Sequence, residues 1–215
     1  MPMPPESSPS RLFVEGPDDK WSIINLLTRH GYDWDNSALV RPFVRDVGGI
    51  REMLKPALVD AACKTYRRLG FVMDADQNVT DRWGGIRRLL QTNGVRLPEN
   101  PEASGAAVEM QDGRRVGVWL MPDNTNPGIL EHFIGKLIPA NDACRRHADE
   151  ATTRARELGA PLRELDHIKG VVHTWLAWQE TPGLPFGTAL TTRILRHDAP
   201  EAVAFVDWFN RLFGS

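Results

Sequence analysis

An apolar run that stops at an acid and then turns into a helical pattern most constrains what this chain can fold into. Leu12-Phe13-Val14-Glu15-Gly16-Pro17-Asp18-Asp19 has that layout, and Leu69-Gly70-Phe71-Val72-Met73-Asp74-Ala75-Asp76 repeats it. A third run, Val116-Gly117-Val118-Trp119-Leu120-Met121, finishes in Pro122-Asp123-Asn124. Strands alternating with helices predict an α/β fold, a mostly parallel sheet with helices on both faces. The carboxyl ends of strands in such sheets face the crevice where ligands bind. If the first two strands are neighbours, three carboxylates converge there, which is unfavourable unless a cation sits among them.

Length sets how much structure can surround that edge. The 215 residues suit one α/β domain over 11–215, in which about 141–215 forms a helical C-terminal elaboration. Residues 1–10, rich in Pro and Ser, read as a disordered tail rather than a signal peptide, because they lack a basic segment and an apolar one. No apolar run approaches membrane-spanning length. Cys63 and Cys144 lie far apart in helical patterns without ligand spacing, and read as reduced core thiols of a cytoplasmic protein. The net charge of -2 does not mark a nucleic-acid binder, yet residues 41–96 carry 11 Lys+Arg against 6 Asp+Glu. A basic middle around an acidic centre suits a phosphate-bearing ligand beside a metal; solvated arginines on helix faces explain it equally well.

Along the chain, a helix opens at Asp18-Asp19, with Asp18 as its candidate cap, and ends at His30-Gly31. Residues 38–47 read as a second strand, placed at an edge or bulge by Pro42. A helix is expected from about Ile50 to Lys64, a strand over 69–73, and a helix starting at Thr80-Asp81 and stopping at Asn93-Gly94. Asp112-Gly113 between the apolar runs 106–110 and 115–121 predicts a hairpin. Further helical patterns cover Gly128–Ile134, 141–158, 164–179 and 200–213, with tryptophans 175, 178 and 208 at core spacings.

The acids suggest the chemistry. Mg²⁺ takes hard oxygen ligands and is commonly held by one or two carboxylates, with waters and substrate phosphates completing its shell. Asp74 and Asp76, two apart at a strand end, point to the same side and can address one ion. Glu15, Asp123 and Glu131 also sit at strand ends or in the first turns of following helices, where acids serve as caps in many proteins. Other site types are missing from the sequence: no CxxC, HExxH, GK[ST] phosphate loop or GxGxxG follows a strand, and no serine stands at a strand–helix elbow. His132 adjoins Glu131, but adjacent helical positions do not share a face. His147, His167 and His197 read as surface or capping residues.

Val14-Glu15-Gly16-Pro17-Asp18-Asp19 followed by Asp74-Ala75-Asp76 resembles the Toprim domain of topoisomerases, primases and nucleases of the overcoming-lysogenisation-defect type. More closely, Leu69–Asp76, Trp119–Asn124, Gly128–Phe133 and His173–Gln179 resemble a group of small bacterial Toprim-like proteins. The resemblance implies a Toprim-like parallel sheet, with Glu15 as metal ligand or general acid/base and Asp74 and Asp76 as Mg²⁺ ligands, Mn²⁺ being a substitute. From the nuclease branch it implies that Glu131 joins the metal site and that Lys169, the last lysine of the chain, holds the scissile phosphate or the attacking water. Asp19 would support Glu15 or a second ion. Asp123 has no firm family counterpart and is a candidate ligand by position alone. Arg82, Arg87 and Arg88 are phosphate-contact candidates, with an exposed helix face as their plainer explanation. No ATPase region and no topoisomerase-like tyrosine setting accompany the motifs, which speaks against strand passage. The expected activity is a Mg²⁺-dependent nuclease or phosphodiesterase; the alternative is a non-catalytic module that binds nucleic acid, nucleotide or a partner protein.

Overall fold

The fold, obtained as a computed structural model, is described over residues 6–34 and 41–214. Five strands form one sheet in the order β2-β1-β3-β5-β4: β1 Ser10–Val14, β2 Phe43–Asp46, β3 Arg68–Asp74, β4 Ala106–Glu109 and β5 Arg115–Met121. The first, second, third and fifth are parallel, and β4 pairs antiparallel to β5 through the Asp112-Gly113 turn. The expected α/β class and hairpin are therefore present. Pro42 immediately precedes β2, which is an edge strand, where a missing N–H costs least. The part of the predicted second strand at 38–40 lies outside the described residues, as do residues 1–5 of the predicted tail. That tail is shorter than expected, because Ser10 already opens β1 and the buried Ser8 hydroxyl donates to the Arg41 carbonyl at 2.8 Å.

Side chains alternate across the sheet, as the two-residue strand period requires. Leu12, Val14, Val72, Trp119 and Met121 face one helical layer, built from α1 Pro17–Arg29, α5 Leu130–Lys136, α7 His167–Ala177, α8 Phe186–Thr191 and α9 Pro200–Phe213. Phe13, Leu69, Phe71, Met73, Val118 and Leu120 face the other layer, formed by α2 Ile50–Met53, α3 Pro56–Thr65 and α4 Val79–Thr92. Helix α6, Ala143–Glu157, packs chiefly on α7 and so stands as an outlying arm. Where α9 crosses the sheet, Gly70 and Gly117 lie side by side in register. A Cβ at Gly70 would stand 2.7 Å from Leu12 and 3.0 Å from Leu212, and one at Gly117 2.8 Å from Leu212. These two glycines give the last turn of α9 its seat.

Several local expectations are corrected. The helix predicted from Ile50 to Lys64 is broken, because Pro56 forces Lys55 into an extended conformation and starts a new helix. Helix α4 starts earlier than Thr80, capped by the Asn78 side chain, which accepts from the Asp81 N–H. Helix α8 lies in the Gly- and Pro-broken stretch that gave no periodic signal. Cys63 is buried but Cys144 is exposed, so only one of the two is a core thiol. Trp175 and Trp208 are core residues, whereas Trp178 is 45% exposed and stacks on His147. No helix among the described residues is long and apolar enough to cross a membrane.

Candidate functional site

The carboxyl ends of β1 and β3 are adjacent in the sheet, and this puts Glu15 beside Asp74. Glu15 Oε1 accepts the Asp74 backbone N–H at 2.9 Å. One turn into α1, Asp19 folds back, and its Oδ2 accepts the Gly16 N–H at 3.0 Å. Asp19, not Asp18, is therefore the capping acid; Asp18 is exposed. Asp74 Oδ1 accepts the N–H of Leu130, the first residue of α5, at 2.9 Å, and the next residue is Glu131, whose side chain is only 13% exposed. Side chains from β1, α1, β3 and α5 thus come together at one sheet edge.

Burial and mutual repulsion make this cluster reluctant to ionise fully. Asp74 is raised from its ordinary range to about 8, first by burial and then by Asp19, Glu15, Glu131 and Asp76. Asp19 is raised to about 7 by burial, with Glu15 and Glu131 adding to it. Burial also raises Glu15, against the Asp74 N–H and Arg82, which favour its charged form. Asp19 Oδ1 is buried with no hydrogen-bond partner. Such an orphaned oxygen calls for an explanation, and an ion is one that suits it.

The donor set is entirely carboxylate oxygen, the chemistry that Mg²⁺ and Mn²⁺ prefer. Among the described residues, however, no group of three or more Asp, Glu, His or Cys side chains is arranged to hold a metal. The residues fit an ion held by one or two carboxylates, with water or substrate oxygens filling its shell, and do not fit an all-protein cage.

Asp76 does not continue the strand geometry that its spacing from Asp74 assumes. Ala75 donates to the Met121 carbonyl, and Asp76 takes a left-handed backbone (φ 53°) while its N–H pairs with Gly128. That turn aims the half-exposed Asp76 carboxylate at the Arg82 guanidinium, which donates to it. Asp74 and Asp76 both line an open groove of about 1440 Å³, together with Arg82, His132, Arg145 and Lys169. Glu15, Asp19 and Glu131 adjoin Asp74 from outside the lining. Lys169 Nζ lies 3.9 Å from Glu131 and 3.8 Å from Asp166, so it does reach the cluster.

A family model described as a protein of unknown function (DUF3226) matches residues 9–214. The chain belongs to the DUF3226 family. The match runs from the sheet through α9, so the C-terminal helices are part of the family's unit. Searches of curated proteins and of solved structures found no match.

Three residues singled out in the sequence of this DUF3226 chain lie elsewhere. Asp123 serves its own loop: it accepts from the Thr125 and Asn126 N–H groups and pairs with Lys136 at 2.7 Å. Burial opposes its ionisation, but Lys136 and the Asn126 and Thr125 amides win and hold its carboxyl well below the usual range. It is a loop-closing acid, not a cluster ligand. Arg87 and Arg88 lie further along α4 and do not line the groove, whereas Arg82 does.

Sequence reasoning missed other groove residues. His132 Nδ1 accepts the Ile129 N–H at 3.2 Å, closing the first turn of α5. His167 Nε2 is 2.7 Å from Asp149 Oδ1, a link from α7 to α6. Arg145 reaches the groove from α6, whose uniformly polar sequence marked no inward face. The His132 cap was readable in principle from its position three residues past Ile129; the α6–α7 contacts were not.

Proposed function

We propose that this chain is a Mg²⁺-dependent phosphodiesterase acting on nucleic acid. The observation that carries the reading is Asp74, a half-buried carboxylate lining the groove, repelled by four further acids at the carboxyl end of a parallel sheet. Asp74, with Asp19 or Glu131 as a second ligand, would hold the ion. When bound, Mg²⁺ supplies Lewis acidity at a phosphoryl oxygen and lowers the pKa of water. The two free thiols fit a reducing, cytoplasmic setting.

The remaining tasks fall to the chain's own side chains. Glu15 takes the proton of the attacking water; its raised pKa makes it a stronger base than a solvent-exposed carboxylate, and the Asp74 N–H fixes its orientation. Lys169 stands on the groove wall beside Glu131, where its ammonium meets charge developing on the phosphate. Arg82, held at the rim by Asp76, orients the same group. In the presence of Mg²⁺ or Mn²⁺, purified protein is expected to hydrolyse DNA, RNA or a generic phosphodiester. That turnover is expected to be lost in Asp74→Ala and Glu15→Gln. Turnover that survives both substitutions contradicts the assignment.

One observation favours the second reading, a Toprim-like module that binds nucleic acid or a partner without cleaving. No ready three-ligand metal group stands among the described residues, and Asp76 is engaged by Arg82. Tight, metal-independent nucleic-acid binding without turnover would select it.

A further inference from the structure

The groove does not end at the acids. Pro127, His132, Arg145 and Ile168 line both it and a second hollow of about 290 Å³, so the two are continuous. The cations along this path are mostly engaged. Arg82 is taken by Asp76, Arg163 by Asp166, Lys169 by Glu131 and Asp166, and Lys136 by Asp123 and Glu201. Arg145 differs: among the described residues it has no ion pair. Its natural helical partner four residues on, Asp149, is held by His167 at 2.7 Å. Its backbone is nonetheless fixed, because the Arg145 N–H donates to Asp142 Oδ1 at 2.7 Å and Trp175 Nε1 donates to the same oxygen at 3.2 Å. A half-buried, uncompensated guanidinium on a pinned helix turn is preorganised for an external anion.

His132 supplies a second donor. Because its Nδ1 accepts the Ile129 N–H, the ring proton belongs on Nε2.

We propose that Arg145 and the His132 Nε2–H form a subsite for a second phosphate of the substrate, next to the one that meets the carboxylates. The preferred substrate is then a polynucleotide rather than a mononucleotide or single-phosphate ester. This rests on the phosphodiesterase reading.

The test compares Mn²⁺-dependent hydrolysis of bis(4-nitrophenyl) phosphate, which has one phosphate, with that of a short DNA duplex, which has many. For Arg145→Ala the KM for the duplex is expected to rise about tenfold with kcat within about twofold, and the salt slope of duplex binding to fall by about 1. The KM for the single-phosphate ester should rise less than that for the duplex, and Arg145→Lys should recover part of the duplex affinity. Arg146→Ala, which removes an exposed charge one residue on, controls for net charge and should leave both substrates as in the wild type. Equal losses on both substrates, or an unchanged duplex KM, would overturn the subsite. If the wild type hydrolyses neither substrate, the phosphodiesterase reading itself has failed. The subsite is then decided by fluorescence anisotropy of the duplex in Ca²⁺: weaker binding by Arg145→Ala upholds it, and unchanged binding overturns it.

Discussion

The two ends of the central sheet both concentrate charge, and they treat it in opposite ways. At the amino end, Arg68 donates to the Phe213 carbonyl at 2.6 Å and also to that of Gly214, while Arg115 donates to Gly214 at 3.0 Å. These bonds close the carboxyl end of α9, where the helix dipole favours cations. Arg11, 2% exposed, lies 4.6 Å from the Phe43 ring and 4.7 Å from that of Tyr66. Each of these cations meets carbonyls or aromatic faces within the protein. At the carboxyl end, Glu15, Asp19 and Asp74 each accept a backbone N–H and, with Glu131, raise Asp74 or one another by repulsion, while Lys169 stands at the edge of ion-pair distance. The cations at the amino end are held by carbonyls and rings, although Arg11 Nε and Nη1 are buried without a hydrogen-bond partner and Arg68 and Arg115 repel each other. The acids left in mutual conflict beside an open groove are the ones that the proposed function assigns to a divalent ion.

That contrast breaks first at Asp74. Asp74→Asn is expected to lower metal-dependent turnover about a thousandfold, read as kcat under saturating Mn²⁺. In the same variant the metal-free protein should melt higher at about pH 8, because a repelling charge is gone. At the other end the signs reverse. Arg68→Met should cost about 2–3 kcal/mol of stability in urea unfolding, because α9 loses two charge-assisted bonds, with kcat close to that of the wild type.

A pH series sharpens the comparison further. Asp74 and Asp19 ionise at about 8 and about 7 in the folded chain but near 4 when unfolded. Between those values the folded state binds more protons at these two groups, so their contribution to metal-free stability is fullest below about pH 4 and falls as pH rises toward 8. The melting temperature should drop by at least about 3 °C over that window, and Asp74→Asn should flatten the slope. The smallest effect is expected at Asp123→Asn. It breaks a partly exposed ion pair worth about 1 kcal/mol or less and leaves kcat within about twofold, because Asp123 stands outside the cluster.

The strand-then-acid layout made the sheet legible, because both the two-residue apolar alternation and the acids at its ends are local signals. That Glu15 and Asp74 meet depended on their strands being neighbours, and they are because β2, which follows β1 in the chain, pairs on the other side of β1 and leaves β3 beside it. Asp76 departs from the strand geometry that its spacing assumes, because φ at a strand end is not set by the preceding strand; one left-handed residue brings its side chain to Arg82. Asp123 was misread because a strand-end acid can serve an external ion or its own loop, and only the Asn126 and Lys136 contacts distinguish these. Arg145 had no sequence signal, since its availability depends on His167, 22 positions later by number, occupying Asp149.

Calorimetric titration of Mn²⁺ at about pH 7, in two buffers of unlike ionisation enthalpy, tests most directly whether the carboxylates hold a divalent ion. Because the cluster holds protons that an ion must displace, saturable binding should release about one proton per ion, and Asp74→Asn should abolish both the heat and the release. Saturable binding without proton release, or the same titration curve in wild type and Asp74→Asn, would contradict the account.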